Sequence, residues 1–451
     1  MLKKLALAIA GLLAILIVMG VAGFRLALDG SGKMPRFLVR PNADALEQHR
    51  ANQRDHFGAS DAGTSQVTRP GDQASANAAT DQVSQPAAPG SGTQDLAYAR
   101  KEHESADPAR ADSRPKPSSP ATWTDFRGPN RDGRYAASSI RTSWPREGLP
   151  RLWKQPVGEG YASFVVADGR AFTIEQRRNQ EVVAAYDMQT GRELWTNAWN
   201  AYFQEGLGGD GPRATPTYHE GRIYALGAEG ELRVLDAAKG TVIWRKNILA
   251  DNGARNISWG MSASPLVVDD KVVVLPGGSA DRSVVAYNEL TGAPVWKVLG
   301  DEQAYTSPML ATIGGVRQIV VVSAIRAVGL TPENGTLLWE YPWVTSMGIN
   351  VAQPLIFKHN GSDRIFLSAS YGHGAAVFEL TKSGDRFQTK TIWENQRMKN
   401  KFTSSVLHNG HIYGLDESIL ACIDAATGEQ KWKAGRYGYG QLMLAGNHLI
   451  V

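Results

Sequence analysis

Tyr161, Arg213, Tyr305 and Phe402 hold equivalent places in successive segments of this chain, and together they offer one cation among aromatic rings. A guanidinium in such company can hold a planar or anionic ligand through charge-assisted hydrogen bonds and ring stacking. The same residues also suit packing around a channel, and both readings stand. Trp259, Asn350 and Lys401 lie beside that position and rank below it. His373, between Gly372 and Gly374, sits where backbone can approach a ligand closely or form a tight bulge. His408 and His411 have the spacing of metal ligands, but Asn409-Gly410 between them is a hairpin turn, and His219 and His448 fall in equivalent turns. The run Gly206-Leu-Gly-Gly-Asp-Gly211 lacks the Gly-Lys-Ser/Thr that a phosphate-cradling loop needs. No catalytic-nucleophile motif, zinc-protease motif or EF-hand loop is present. The one cysteine, Cys422, excludes an internal disulfide, a redox pair, a CxxCH haem site and a multi-cysteine zinc site.

The elements that must position these residues are repeats. Asp187-Met-Gln-Thr190-Gly191-Arg-Glu-Leu-Trp195 returns at Asp236, Gly240 and Trp244, then at Asn288, Gly292 and Trp296. It returns again at Thr331, Gly335 and Trp339 and at Asp424, Gly428 and Trp432, while Trp393 marks a copy whose turn has degenerated. The acid or amide and the glycine make a tight turn, and the tryptophan, four residues after the glycine, buries a large face between neighbouring units. Two residues before the turn a small side chain recurs: Ala185, Val234, Ala286, Gly329 and Cys422, so Cys422 reads as a packing residue. From Trp153 to Trp432 the copies recur every 46–47 residues on average, the period of a β-propeller with four-stranded blades. Each repeat opens with a pattern such as Arg213-Ala-Thr-Pro216, Ser262-Ala-Ser-Pro265 or Tyr305-Thr-Ser-Pro308, expected to form the innermost strands. Arg151-Leu152-Trp153-Lys154 is expected as an orphan outer strand that closes the ring. Seven blades are begun. The sequence ends at Val451 within an apolar run, so a truncated C-terminus and eight blades in the intact protein are expected.

The tryptophan-docking pattern resembles that of the PQQ-like, quinoprotein-type β-propellers, a group that includes BamB-like proteins. Phe126-Arg-Gly-Pro-Asn-Arg-Asp-Gly133, Gly211-Pro-Arg-Ala-Thr-Pro216 and Tyr371-Gly-His-Gly374 resemble stretches of exported planctomycete-type members most closely. The resemblance covers residues 123–451 and implies the fold more strongly than any activity. It raises pyrroloquinoline quinone (PQQ) with calcium as a cofactor, yet the quinone-dependent dehydrogenases carry adjacent cysteines and a carboxylate cluster that this sequence lacks. No cofactor is expected on the residues themselves.

All 12 tryptophans lie between Trp123 and Trp432, so the first 122 residues are a different compositional world. Leu5–Phe24 is apolar and uncharged after Lys3 and Lys4, about 30 Å if helical, which predicts a signal-anchor or transmembrane helix over 1–28. A cleavable signal peptide is the alternative. Residues 29–121 predict a disordered linker, and 122–451 the propeller. Net charge is +4, of which residues 1–40 supply +5, residues 41–121 supply −3 and the rest +2, so no basic nucleic-acid face is expected. The expected function is a membrane-tethered, extracytoplasmic (periplasmic) scaffold that binds a protein partner without catalysis, in envelope protein assembly. A quinone-dependent oxidoreductase and a small-molecule or carbohydrate sensor are the alternatives.

Overall fold

Asp187 shows how the repeat turns are made. Its Oδ1 accepts from the amides of Gln189 (3.0 Å) and Thr190 (2.8 Å) and from the Thr190 hydroxyl (2.8 Å). Partial burial opposes ionisation there, but the Thr190 donors outweigh it and hold the carboxyl below its ordinary range. Asp236, Asn288 and Asp424 accept the same two amide bonds in their own turns. These acids are turn formers.

The computed structural model describes residues 24–27, 36–39, 44–52 and 123–451. Among the described residues six four-stranded antiparallel sheets follow one another. Blade one is Val165–Ala167, Arg170–Arg177, Gln180–Asp187 and Glu193–Asn200. Blades two to six start at Thr217–His219, Leu266–Val268, Met309–Ile313, Leu355–His359 and Val406–His408. The seventh sheet has three strands, because Arg134–Tyr135 pairs in parallel with Met443–Ala445, which pairs in turn with His448–Ile450. Residues 151–154, expected as a closing outer strand, form no strand. Trp153 docks all the same, its indole donating to the Met188 carbonyl at 3.0 Å.

Successive blades are joined at their rims by the tryptophans. Trp195, Trp244, Trp296 and Trp393 donate to carbonyls in the turn of the following blade, those of Ala237, Glu289, Pro332 and Ala425, at 2.9–3.1 Å. The recurrent small residue lies directly across the sheet from the tryptophan: Ala185 opposite Trp195, Gly329 opposite Trp339, Cys422 opposite Trp432. Two copies depart from the pattern. Blade five replaces its turn with the long hairpin Gly374–Ser383 and Arg386–Asn395, so Trp339 donates instead to Gln318 of its own blade at 2.6 Å. Trp432 is 41% exposed.

Glycine is required where the indole lands. Gly240 has φ +71°, and a Cβ there would lie 2.4 Å from the Trp195 ring. Gly169 has nearly the same φ, +70°, with open space around it. Gly240→Ala is therefore expected to cost about 2–4 kcal/mol, and Gly169→Ala about 1–2 kcal/mol, read from urea unfolding midpoints. Equal losses would show that backbone strain, not the docked indole, dictates the residue.

The opening patterns lie just before the innermost strands, not within them, a correction with a physical reason. Their third residue links neighbouring blades: the Ser163 amide donates to Thr215 Oγ1 (2.9 Å), Ser264 to Ser307 Oγ (2.9 Å), Ser307 to Gln353 Oε1 (2.7 Å) and Gln353 to Ser404 Oγ (3.0 Å). An amide spent on the next blade is not available to a sheet ladder.

At the N-terminus, Phe24–Ala27 pairs with Arg36–Val39, so the end of the expected membrane helix is a strand. The rest of that apolar run lies outside the described residues. Among the described residues no helix is long and apolar enough to cross a membrane. Residues 44–52, inside the expected linker, are helical. Composition averaged over the whole linker hides this segment, which packs on blade one: Arg50 is 3% exposed and donates to the Pro156 carbonyl at 3.0 Å, and Asp44 pairs with Arg178.

Candidate functional site

The centre of the propeller is occupied by the chain itself. Trp123 pairs with Val166 on the inner strand of blade one, and the Tyr218 amide of blade two donates to the Thr124 carbonyl at 2.8 Å. The segment then crosses the axis, and two buried arginines pin it. Arg131 donates to the carbonyls of Ser264 (3.0 Å) and Pro265 in blade three and Pro308 (2.8 Å) in blade four, and to Thr217 Oγ1 (3.2 Å) in blade two. Asp125 balances its charge at 3.0 Å. Arg127 donates to Ser405 (2.9 Å) of blade six and Leu442 (3.2 Å) of the seventh sheet. Burial pushes the Arg127 guanidinium down to about 10, with Asp132 opposing. Gly133 completes the plug, since a Cβ there would lie 2.2 Å from the Arg127 guanidinium.

At one end of this plug lie the residues that precede the inner strands. Arg213 stacks on Phe203 (4.5 Å) and faces Tyr161 (5.6 Å), and donates to the carbonyls of Gly209 and Gly211. Burial lowers its pKa, with Tyr161 and Glu205 opposing. Trp259 meets Tyr305 edge-on at 5.8 Å. Tyr305 and Tyr371 are both raised by burial, and Tyr371 also feels Tyr305 and Tyr439. Lys401 places its ammonium over Tyr439 (4.8 Å), Phe402 (5.3 Å) and Tyr371 (5.8 Å).

Of the residues singled out by sequence, Tyr161, Arg213, Tyr305 and Phe402 thus share one mouth. His373 belongs elsewhere: it meets Trp343 edge-on at 4.0 Å, and burial lowers its pKa, with Glu394 opposing. Tyr371, at φ +58° in the turn before it, takes the place at the mouth. Tyr371, Lys401 and Tyr439 were the residues undervalued by sequence reading, although Lys401 adjoins the opening position.

A family profile described as PQQ_2, outer membrane protein assembly factor BamB, matches residues 178–434. The chain belongs to that family. It is 20% identical over 313 residues to the outer membrane protein assembly factor BamB of Bordetella pertussis, covering 67% of this chain and 72% of that protein. It is 29% identical over 100 residues to the 1-butanol dehydrogenase (cytochrome c) of Thauera butanivorans, covering 22% of this chain and 14% of that enzyme. Among solved structures, a quinohemoprotein alcohol dehydrogenase from Pseudomonas putida HK5 superimposes with a TM-score of 0.50 at 15% identity, covering 76% of this chain and 70% of that one. That likeness is one of fold.

The residues present do not fit a quinone held by calcium. Among the described residues no three His, Cys, Asp or Glu side chains converge on a metal position. The acids nearest Arg213 are committed to their own loop: Glu205 accepts from the Leu207 amide at 3.0 Å, and Asp210 from the Glu205 amide at 3.2 Å. Cys422 is buried in a blade-six strand.

Proposed function

We propose that this chain is a non-catalytic scaffold outside the cytoplasm, which holds a protein partner on the mouth face of its propeller during envelope protein assembly. The observation that carries the reading is the contrast between a plugged centre and an apolar rim. Arg127 and Arg131 fill the axis, while the mouth-side loops expose Leu207 (90%), Met347 (64%) and Val344 (55%). Exposed large apolar side chains gathered on one face are a feature of protein-binding surfaces. The opposite face carries the short polar turns around Asp168-Gly169, Glu220-Gly221 and Asn409-Gly410, with Leu152 exposed beside Trp153. Membership of the BamB family supports a role in assembly, and the expected N-terminal anchor would hold the propeller at the membrane.

Photo-crosslinking amino acids at Leu207 and Met347, with Gly169 and Glu220 as controls on the other face, test this in the host cell. The expected result is one partner captured from both mouth-side positions and from neither control. Adducts spread equally over both faces, or no adducts, would count against the scaffold.

A further inference from the structure

The ring formed by Tyr161, Arg213, Tyr305, Tyr371, Lys401 and Tyr439 has a definite electrostatic sense. An empty cage of aromatic faces selects cations. Here the chain's own Lys401 already occupies the cage, with its ammonium over three rings. Among the described residues that ammonium forms no ion pair, whereas the neighbouring Lys399 is spent on Asp416 at 2.9 Å. The other cation, Arg213, has Glu205 and Asp210 nearby, both held by amides of their loop. Lys401 is therefore a mouth cation without an ion-pair partner among the described residues, set among phenol hydroxyls that can donate and apolar ring faces. Exposed Tyr161, Phe402 and Leu207 extend the apolar surface outward from it.

We infer that the channel mouth is a receptor for an acidic peptide segment of the protein partner, one carboxylate seating on Lys401 while adjoining apolar side chains cover Tyr161, Phe402 and Leu207. The inference rests on the scaffold reading and specifies its contact. A carboxylate suits the site because a charge-assisted bond to a partly desolvated ammonium is stronger than a neutral one. The flanking rings supply the apolar area that a lone inorganic anion would leave unused.

The test is fluorescence anisotropy on the full chain with a labelled peptide of alternating Glu and Phe, compared with the same peptide carrying Gln or trimethyl-lysine in place of Glu. The Glu peptide is expected to bind at least about tenfold more tightly than the Gln peptide at low salt, and the margin should shrink as salt rises. Lys401→Ala should abolish that margin and, by vacating the cage, turn the preference toward the trimethyl-lysine peptide. Lys401→Arg should retain the acidic preference. Equal binding of Glu and Gln peptides, absence of binding, or an unchanged preference in Lys401→Ala would overturn the inference. Crosslinking from Leu207 and Met347 repeated in Lys401→Ala separates the two readings. A partner captured undiminished there would leave the scaffold standing with a different contact.

Discussion

Replacing Arg131 by alanine is expected to destabilise the propeller by about 3–5 kcal/mol, the range for breaking a buried ion pair by removing one partner. One guanidinium there joins blades two, three and four to the central segment, and it is 2% exposed. Burial disfavours its charge, and Asp125 is what offsets that cost. Alanine would leave the Asp125 carboxylate without its cation and the Ser264 and Pro308 carbonyls without the Arg131 donor, while Pro265 would keep the Thr217 hydroxyl. Each buried polar group left unpaired costs on the order of 1–3 kcal/mol. Arg131→Lys should recover only part of the loss, because one ammonium cannot reproduce a planar fork reaching several carbonyls. Urea unfolding of the three proteins is the measurement, with the order wild type, Arg131→Lys, Arg131→Ala expected in the midpoint. Coincident curves would mean that the plug rides in the channel without holding it.

That plug marks the boundary of what the sequence discloses. The docking turns were legible because their chemistry is local: one acid, two amides, one glycine and one indole within nine residues, Asp187 to Trp195. The repetition then made the blades legible too. Phe126–Gly133 stood out as a family-like opening, but its role depends on carbonyls contributed by residues 264, 265, 308, 405 and 442. No local pattern announces such a convergence. The mouth was half legible for a similar reason. Arg213, Tyr161, Tyr305 and Phe402 shared a register and so declared themselves, whereas Tyr371 reaches the mouth from the far end of a hairpin. Lys401 gains its meaning only from three aromatic neighbours, two of them, Tyr371 and Tyr439, distant in sequence.

Glu181 supplies a pH dependence of the same size as the Arg131 effect. It is fully buried on the third strand of blade one, opposite Trp199 and against Gly227 of blade two. The Ala228 amide donates to it at 2.7 Å. Arg233 lies over Trp199 at 4.5 Å and spends its donors on Glu231 and Asn197. Burial therefore raises the Glu181 carboxyl from 4.5 to about 7, against the Ala228 amide, and the charges of Glu229 and Glu231 add to the rise. A carboxyl whose folded pKa exceeds its unfolded one binds more protons in the native state, so stability falls with rising pH. The contribution is complete below 4.5, declines as pH rises through about 7, and then levels off. At 1.36 kcal/mol per pKa unit this amounts to about 3 kcal/mol. Glu181→Gln keeps an acceptor for the Ala228 amide and removes the titration. It should therefore be more stable than wild type at pH 8, with most of the advantage gone by pH 5. Urea midpoints at pH 5, 6, 7 and 8 decide the matter. Other titrating groups contribute to both proteins alike, so parallel curves would mean that Glu181 is ionised in the fold across the whole range.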